Sequence, residues 1–193
     1  MPKMAIGING GYNESLVDFG SSVRTKRVDG YAVGIQFQLM SRKMLGFETG
    51  VFFNQLGWIE VDSTGVSNRG RISTQVIEVP LYSHLALGKG KIRLLLDAGP
   101  YFRFIINEEI EGIIQPDTEF ENTRPENSAS YGLSFRGGLG WRSNRFIIQL
   151  RGNYHLGLTN FYDATIATDV SAERSFGGSL SVLIPFGNNY IDE

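Results

Sequence analysis

Residues 75–104 read QVIEVPLYSHLALGKGKIRLLLDAGPYFRF, and this stretch decides the fold. In residues 75–87, large apolar side chains alternate with a mixed set that includes Glu78 and His84, which is the two-residue period of a β-strand. Residues 92–104 repeat the period. Their second face carries Arg93, Asp97, Tyr101 and Arg103. The glycines at 88 and 90 tolerate positive φ, so the sequence predicts a tight hairpin.

The two arms of this hairpin are unusually long. Strands of globular proteins usually have about five or six residues, and each arm has about twice that number. A tilted strand that crosses a bilayer needs about nine to eleven residues inside the hydrocarbon. The arms are therefore long enough to span a membrane.

Composition limits the classes that fit the chain. Its 193 residues predict one domain, 1–193, and 24 glycines, 12% aromatic residues and only 6 prolines are typical of small barrels. The net charge of −2 gives no reason to expect a nucleic-acid partner. Since there is no cysteine, disulfides, thiolate metal sites and a cysteine nucleophile are excluded.

The hydropathy of the chain excludes a membrane helix but not a membrane barrel. No run of 18 apolar residues occurs, and the mean hydropathy is −0.12. Strands that alternate between apolar and polar faces average to a value near zero. The first residues lack the charged and apolar regions of a signal peptide, so for an envelope protein we expect that peptide to have been removed from the numbered sequence.

Periodicity predicts eight strands between about residues 4 and 187, followed by a short tail at 188–193. The predicted strands are 4–12, 28–40, 44–61, 75–87, 92–104, 129–142, 145–158 and about 172–187. The connections after the second, fourth and sixth strands are tight, the last of them at Ser143–Asn144, and the others are longer and polar. This alternation predicts an all-β fold, an eight-stranded antiparallel up-and-down transmembrane barrel with short periplasmic turns and longer extracellular loops, located in the outer membrane.

The two faces of the strands are chemically different. One face carries bulky apolar side chains, including Phe37, Phe53, Leu81, Leu96, Phe135 and Leu150. A soluble eight-stranded barrel has no room inside for so many of them, so we expect this face to contact lipid.

The other face carries charge, and charge in a narrow lumen must be paired. We expect a structural charge network of Glu48, Glu78, Asp97, Arg103, Arg136 and Arg151. Counted from the short turns, Asp97 lies at the height of Arg136 and Arg151, so we expect it to bond at least one of these arginines.

Catalytic, cofactor and metal sites are not predicted. The only histidines, His84 and His155, point inward, where packing and hydrogen bonding are their commonest roles, although Glu78 with both could bind a metal. Ser83 points outward, and no nucleophile-elbow motif occurs.

The segment 107–128 is strongly acidic, with seven carboxylates against Arg124 alone. Such a run is usually a solvated loop. The alternative is divalent-cation bridging to lipopolysaccharide, or contact with a basic partner.

The chain resembles the PorT-like outer-membrane β-barrel proteins of Bacteroidetes. The likeness rests on residues 75–104, with Glu-Val-Pro-Leu in the first arm and Ala-Gly-Pro-Tyr in the second, and on GINGGYN at 7–13 and GLSFRGGLGW at 132–141. The resemblance implies an eight-stranded outer-membrane barrel, and its named member is associated with type IX protein secretion.

Three classes of function remain open at this point. The first is a non-enzymatic structural or secretion-accessory barrel without a cofactor; the others are a narrow channel and an envelope lipid-modifying enzyme. The expected partners are outer-membrane lipid and lipopolysaccharide, with an envelope or secretion-system protein as a further one and no nucleic acid. We expect a monomeric barrel.

Overall fold

A computed structural model describes residues 2–18, 24–61, 68–111, 129–159 and 172–190 of the protein. Among these residues, no helix is long and apolar enough to cross a membrane. The strands are β1 Pro2–Asp18, β2 Arg24–Met40, β3 Leu45–Val61, β4 Asn68–Leu87, β5 Ile92–Glu111, β6 Ala129–Arg142, β7 Ile147–Gly157 and β8 Ala172–Tyr190.

The eight strands form a closed barrel. Each strand pairs antiparallel with the next, and β8 pairs with β1 from Asp18↔Ala172 to Met4↔Phe186. Closure leaves no strand edge with unpaired backbone groups, as a membrane barrel requires. The predicted up-and-down eight-stranded barrel is confirmed.

The predicted faces are also confirmed. Apolar side chains at alternate positions point outward, and Ile8, Leu150 and Ile184 each keep more than 60% of their surface exposed. The intervening polar side chains point inward, and Gln36 and Glu48 are almost completely buried. This inversion of the usual core and surface is typical of a barrel that spans a membrane.

Three turns lie together at one end of the barrel, at residues 41–44, 88–91 and 143–146. Gly88 (φ 111°) and Gly90 (φ 86°) are the described residues with positive φ, as the tight hairpin predicts. The two-residue turn predicted at Ser143–Asn144 was wrong. Strand pairing begins at Arg142↔Ile147, so residues 143–146 form the turn, and the Ser143 amide donates to the Phe146 carbonyl across Asn144 and Arg145 (2.8 Å).

Several strands are longer than predicted at the opposite end. β5 continues to Glu111, so residues 107–111 are not irregular, while the rest of the acidic segment lies outside the described residues. β8 is longer than predicted at the end with the turns instead, where it reaches Tyr190, so the predicted tail begins too early. The predicted strands ended where the side chains become polar. A ladder of backbone hydrogen bonds does not depend on side-chain polarity, so the strands continue beyond those residues.

Candidate functional site

The lumen is filled by the inward side chains of all eight strands. Besides the charged groups, its buried polar side chains include Asn9, Gln36, Gln38, Asn54, Ser134, Gln149, Ser175 and Ser181. They form layers along the barrel axis, of which the first lies nearest the end with the three turns.

The first polar layer is a belt of amides that crosses the lumen. Gln36 on β2 donates through Nε2 to Gln149 Oε1 on β7 (2.9 Å), and Gln149 donates in turn to Gln38 Oε1 (3.0 Å). Ser181 donates to Gln36 Oε1 (2.9 Å), and Asn9 donates to Ser181 (2.7 Å). Because β2 and β7 lie on different walls, these hydrogen bonds tie the walls together through the interior.

The second layer is a cluster centred on Glu48. Arg151 binds its carboxylate with two hydrogen bonds, Nη1 to Oε1 at 2.8 Å and Nη2 to Oε2 at 2.7 Å, and Arg136 Nη2 also donates to Oε1. Two-point contact between a guanidinium and a carboxylate is the strongest form of this ion pair. Glu48 therefore holds both arginines of β6 and β7 from the other side of the lumen.

Asp97 has a different principal partner from the one predicted. Its Oδ1 lies 2.5 Å from His84 Nδ1, while Oδ2 lies 3.1 Å from Arg136 Nη2 and 3.3 Å from Arg151 Nε. The contacts of Oδ2 do not have hydrogen-bond geometry. Asp97 thus forms close ion pairs with both arginines, but its hydrogen bond goes to His84 because the two residues face each other across the β4–β5 hairpin.

The third layer is a separate cluster on Arg103. Its Nε donates to Glu78 Oε2 (2.7 Å) and its Nη1 to Glu173 Oε1. Asn54 Nδ2 donates to the same Glu78 oxygen (3.1 Å), and His155 Nε2 lies 3.4 Å from Glu78 Oε1. The six charges predicted as one network therefore divide into two, with Glu48, Asp97, Arg136 and Arg151 in one and Glu78 with Arg103 in the other.

Two tyrosines lie beside the arginines of these clusters. The guanidinium of Arg136 stacks on the ring of Tyr82 (3.7 Å to the centroid), and that of Arg103 on Tyr101 (4.3 Å). The Tyr82 hydroxyl is hydrogen-bonded to Ser134 (2.8 Å). The rings cover faces of the guanidinium groups that carry no N–H donors, which limits the cost of burying the charge.

Two members of the clusters were not predicted from the sequence: Glu173, and His84 as the partner of Asp97. For His84 the alternation of its strand gave the inward direction but not the partner. The observed pair Leu87↔Leu94 brings His84 opposite Asp97 and Glu78 opposite Arg103, whereas closing the strands directly around the turn at 88–91 would pair Leu87 with Ile92. For Glu173 there was no local signal, because its position depends on the register in which β8 closes the barrel.

Both ends of the lumen are closed within the described residues. At the end with the turns, buried apolar side chains form two groups that we call the turn-end plug: Met40, Ala86 and Leu95, and Ala5, Ile147 and Leu183. At the other end, β1 and β3 come together across the interior. The Ser15 hydroxyl accepts from the Gly57 amide and donates to the Gly57 carbonyl, both at 2.8 Å.

Little space remains between these layers. A cavity of about 40 Å³ is lined by Asn54, Glu78, Arg103 and His155 among others, and a second of about 30 Å³ lies beside His84 and Gln149. A single water occupies about 30 Å³ of liquid volume. Neither cavity is large enough for an organic ligand.

Among the described residues, the lumen does not offer an arrangement suited to a metal. Donor atoms of Glu48, His84 and Asp97 lie within 4.8 Å of one another, but Arg136 and Arg151 already contact both carboxylates. Two guanidinium charges beside the same oxygens oppose a further cation. The two histidines belong to different clusters, so the structure does not bring them together on Glu78.

Known outer-membrane barrels share this fold. The family model described as outer membrane protein beta-barrel domain matches residues 2–163. No curated protein matches the chain in sequence. Neisserial surface protein A is similar in structure, with a TM-score of 0.59 and 10% identity over 95% of this chain and 97% of its own. The outer membrane protein OprG of Pseudomonas aeruginosa has a TM-score of 0.52 and 11% identity, covering 94% of each chain.

At these identities the solved structures show the fold alone, whereas the family model covers most of the chain. The protein is an outer-membrane protein, in agreement with the apolar outer face of its strands. It belongs to the outer membrane protein β-barrel domain family.

Proposed function

We propose that the protein is a non-conducting and non-enzymatic barrel that serves as a structural or secretion-accessory component of the outer membrane. The observation that carries the proposal is the filled lumen. Amide and ion-pair layers cross it, and its ends are closed by the turn-end plug and by the contact of Ser15 with Gly57. An eight-stranded barrel has room inside only for side chains.

Conductance in a planar bilayer tests the filled lumen. We expect the purified protein to give no stable openings at moderate voltage. A narrow channel is the second candidate, and it is favoured by the two small cavities that lie on either side of the Glu48 cluster. Stable, reproducible openings would reject the non-conducting barrel and support this channel.

The surroundings of the histidines support a non-enzymatic role. In the described part of the chain, no serine hydroxyl is hydrogen-bonded to His84 or His155, which instead face Asp97 and Glu78. Ser83 is exposed on the outer face. We expect lipopolysaccharide and phospholipid incubated with the protein to keep their masses. A mass change that disappears in His155→Gln would instead support the lipid-modifying enzyme.

The secretion-accessory part of the proposal rests on the likeness of residues 75–104 to PorT-like proteins. It is compatible with the long β4 and β5, which have 20 residues each and exceed the roughly nine to eleven needed to cross the membrane. Deletion of the gene, with complementation by the wild type, tests it. We expect secreted proteins to accumulate in the periplasm of the deletion strain. Normal secretion in the deletion strain would reject the secretion role and leave the structural role as the proposed function.

The direct partners in this proposal are outer-membrane lipid and lipopolysaccharide, contacted by a monomeric barrel. Glu109 and Glu111 are exposed near the upper end of β5, where carboxylates can share divalent cations with lipopolysaccharide phosphates. We expect Mg²⁺ to increase lipopolysaccharide binding and EDTA to abolish the increase. Lipopolysaccharide binding that does not depend on Mg²⁺ would reject the cation bridge.

A further inference from the structure

The three turns at one end of the barrel carry five exposed cations, which we call the basic rim: Arg42, Lys43, Lys89, Lys91 and Arg145. Two further cations, Arg93 and Arg142, lie close by on the inner face of their strands, beside Leu95 and Ile147. No carboxylate lies in or beside these turns among the described residues; Asp192 and Glu193 follow β8 outside them. The nearest described carboxylates along the strands, Glu48 and Asp97, are already bound in the lumen. Since the whole chain has a net charge of −2, its charge is strongly segregated.

These cations lie at the boundary of the apolar band. Lys91 directly precedes Ile92, whose side chain is 63% exposed on the outer face. Arg142 directly follows Trp141, and the Trp141 ring packs against that of Phe146 at 5.5 Å. One strand residue advances about 3.3 Å, so the cations stand a few ångströms beyond the last lipid-facing side chains. Aromatic side chains at such a position mark the membrane interface.

Hydrogen bonds hold the turns in one surface. Arg93 Nη1 donates to the Lys43 carbonyl (3.2 Å), which joins the first turn to the second. The Arg142 amide donates to the Lys91 carbonyl (2.8 Å), which joins the second turn to the third. The cations are therefore displayed around a rigid rim and are not scattered on independent loops.

We infer that this basic rim binds anionic phospholipid headgroups of the periplasmic leaflet. Short turns of outer-membrane barrels face the periplasm, so phospholipid phosphates are the anions at the depth of the rim. Lysine and arginine side chains can also reach along the interface while their stems stay against apolar surface. The charge is spread over three turns around the barrel, which fits a surrounding layer of lipid better than a partner protein that docks at one patch. The inference rests on the outer-membrane location and does not require the lumen to be closed.

Trp141 provides a native probe for the lipid beside the rim. Its fluorescence is quenched by lipids that carry bromine on their acyl chains, whereas Trp58 is buried in the lumen and supplies a nearly constant background. Two vesicle preparations would contain phosphatidylcholine with the same minor fraction of phosphatidylglycerol. In the first preparation the phosphatidylglycerol is brominated. In the second, an equal amount of the phosphatidylcholine is brominated instead. We expect brominated phosphatidylglycerol to quench about two- to threefold more strongly.

Substitution of the exposed turn cations tests whether they cause the preference of the barrel for phosphatidylglycerol. The variant carries Arg42→Gln, Lys43→Gln, Lys89→Gln, Lys91→Gln and Arg145→Gln; Arg142 is kept because it adjoins the probe. The control, Lys26→Gln with Arg71→Gln, removes exposed cations at the opposite end of the barrel. We expect the preference to disappear in the rim variant, to persist in the control, and to vanish in 1 M salt, where the screening length is about 3 Å.

Either of two results would overturn the inference: equal quenching by the two brominated lipids in the wild type, or a preference that survives in the rim variant. A rim that binds an acidic protein and not lipid would also give equal quenching. The shift of the folded barrel on an unheated gel checks that each variant is folded. If the rim variant does not fold, the pair Lys89→Gln with Lys91→Gln replaces it, and an undiminished preference in that pair rejects the inference. Conductance plays no part in these measurements, so their failure is distinct from that of the proposed function.

Discussion

At the scale of single residues, Glu48 is the side chain on which the centre of the lumen depends. It is 1% exposed and receives hydrogen bonds from both Arg136 and Arg151. Glu48→Gln leaves two buried guanidinium charges with Asp97 as the remaining carboxylate. We expect the free energy of unfolding, measured by urea denaturation in lipid vesicles, to fall by about 3–5 kcal/mol.

Glu14 supplies the matched control for this substitution. Its carboxylate lies 3.7 Å from Arg27, and the two side chains are 29% and 57% exposed. An exposed ion pair contributes little, so Glu14→Gln should lower the free energy of unfolding by about 1 kcal/mol or less. Equal losses in the two variants would show that burial of the Glu48 cluster adds nothing to stability.

Double-mutant cycles separate the two carboxylates of the cluster. The cycle of Glu48→Gln with Arg151→Gln should give a coupling energy of about 2–3 kcal/mol, because this pair has two aligned hydrogen bonds. The cycle of Asp97→Asn with Arg136→Gln should give about 1 kcal/mol, since its 3.1 Å contact lacks hydrogen-bond geometry. Urea unfolding in vesicles measures both. The reverse order would contradict the assignment of Glu48 as the principal partner.

The sequence could predict which of these side chains point inward but not how they pair. The inward direction of a side chain follows from the two-residue period alone, and the predicted direction is confirmed for Glu48 and Arg151. Pairing depends on strand register. Even within the β4–β5 hairpin, strands closed directly around residues 88–91 would pair Leu87 with Ile92, whereas the observed register pairs Leu87 with Leu94 and so brings Glu78 opposite Arg103. Across the closing strands no local signal exists, and Glu173 was missed.

At the scale of elements, the β4–β5 turn shows how glycine fixes a hairpin. Gly90 has a φ of 86°, which L-residues with a side chain adopt only with strain. We expect Gly90→Ala to lower the free energy of unfolding by about 1–2 kcal/mol. Gly10→Ala is the control, because a Cβ there meets no atom within 4 Å and φ is not positive. A loss no larger than that of Gly10→Ala would mean that the turn adapts to the side chain.

Element boundaries were the weakest part of the sequence prediction. Apolar alternation identified all eight strands, since the lipid-facing band must be apolar. Beyond the band this requirement ends, and the polar residues 107–111 continue β5 with the same backbone pairing. The bulge where Gln75↔Asn107 gives way to Val76↔Ile105 further breaks the period by one residue, so no alternation pattern crosses it.

The short strand β7 gives a test of depth in the membrane. Leu150 is 62% exposed on the outer face within the strand, three residues after Ile147, and Leu158 is exposed just past the strand's other end. Leu150→Arg should weaken insertion by about 2–4 kcal/mol, whereas Leu158→Arg should cost about 1 kcal/mol or less. Folding titrations into vesicles in urea measure both. Equal costs at the two positions would contradict the assigned lipid-facing band.

At the scale of the whole molecule, charge is sorted by location. Cations collect on the rim of the turns, paired charges fill the lumen, and Glu109 and Glu111 stand exposed near the upper end of β5. The composition, with a net charge of −2, hides this arrangement completely. Only the up-and-down topology reveals it, because alternate connections must lie at opposite ends of the barrel.

The same topology stacks several closures along one axis, and two variants distinguish which of them keeps the barrel shut. A network variant combines Glu48→Gln, Arg136→Gln and Arg151→Gln, which removes the charges at nearly constant volume. A plug variant combines Leu95→Ala with Leu183→Ala in the turn-end plug. We expect both to remain silent in planar bilayers, because each leaves the other layer and the contact of Ser15 with Gly57 in place. Openings in the network variant alone would mean that the ion pairs are the gate of a channel. Openings in the plug variant alone would mean that the charged layers leak, since small ions could then pass beside the Glu48 cluster once the apolar side chains are gone.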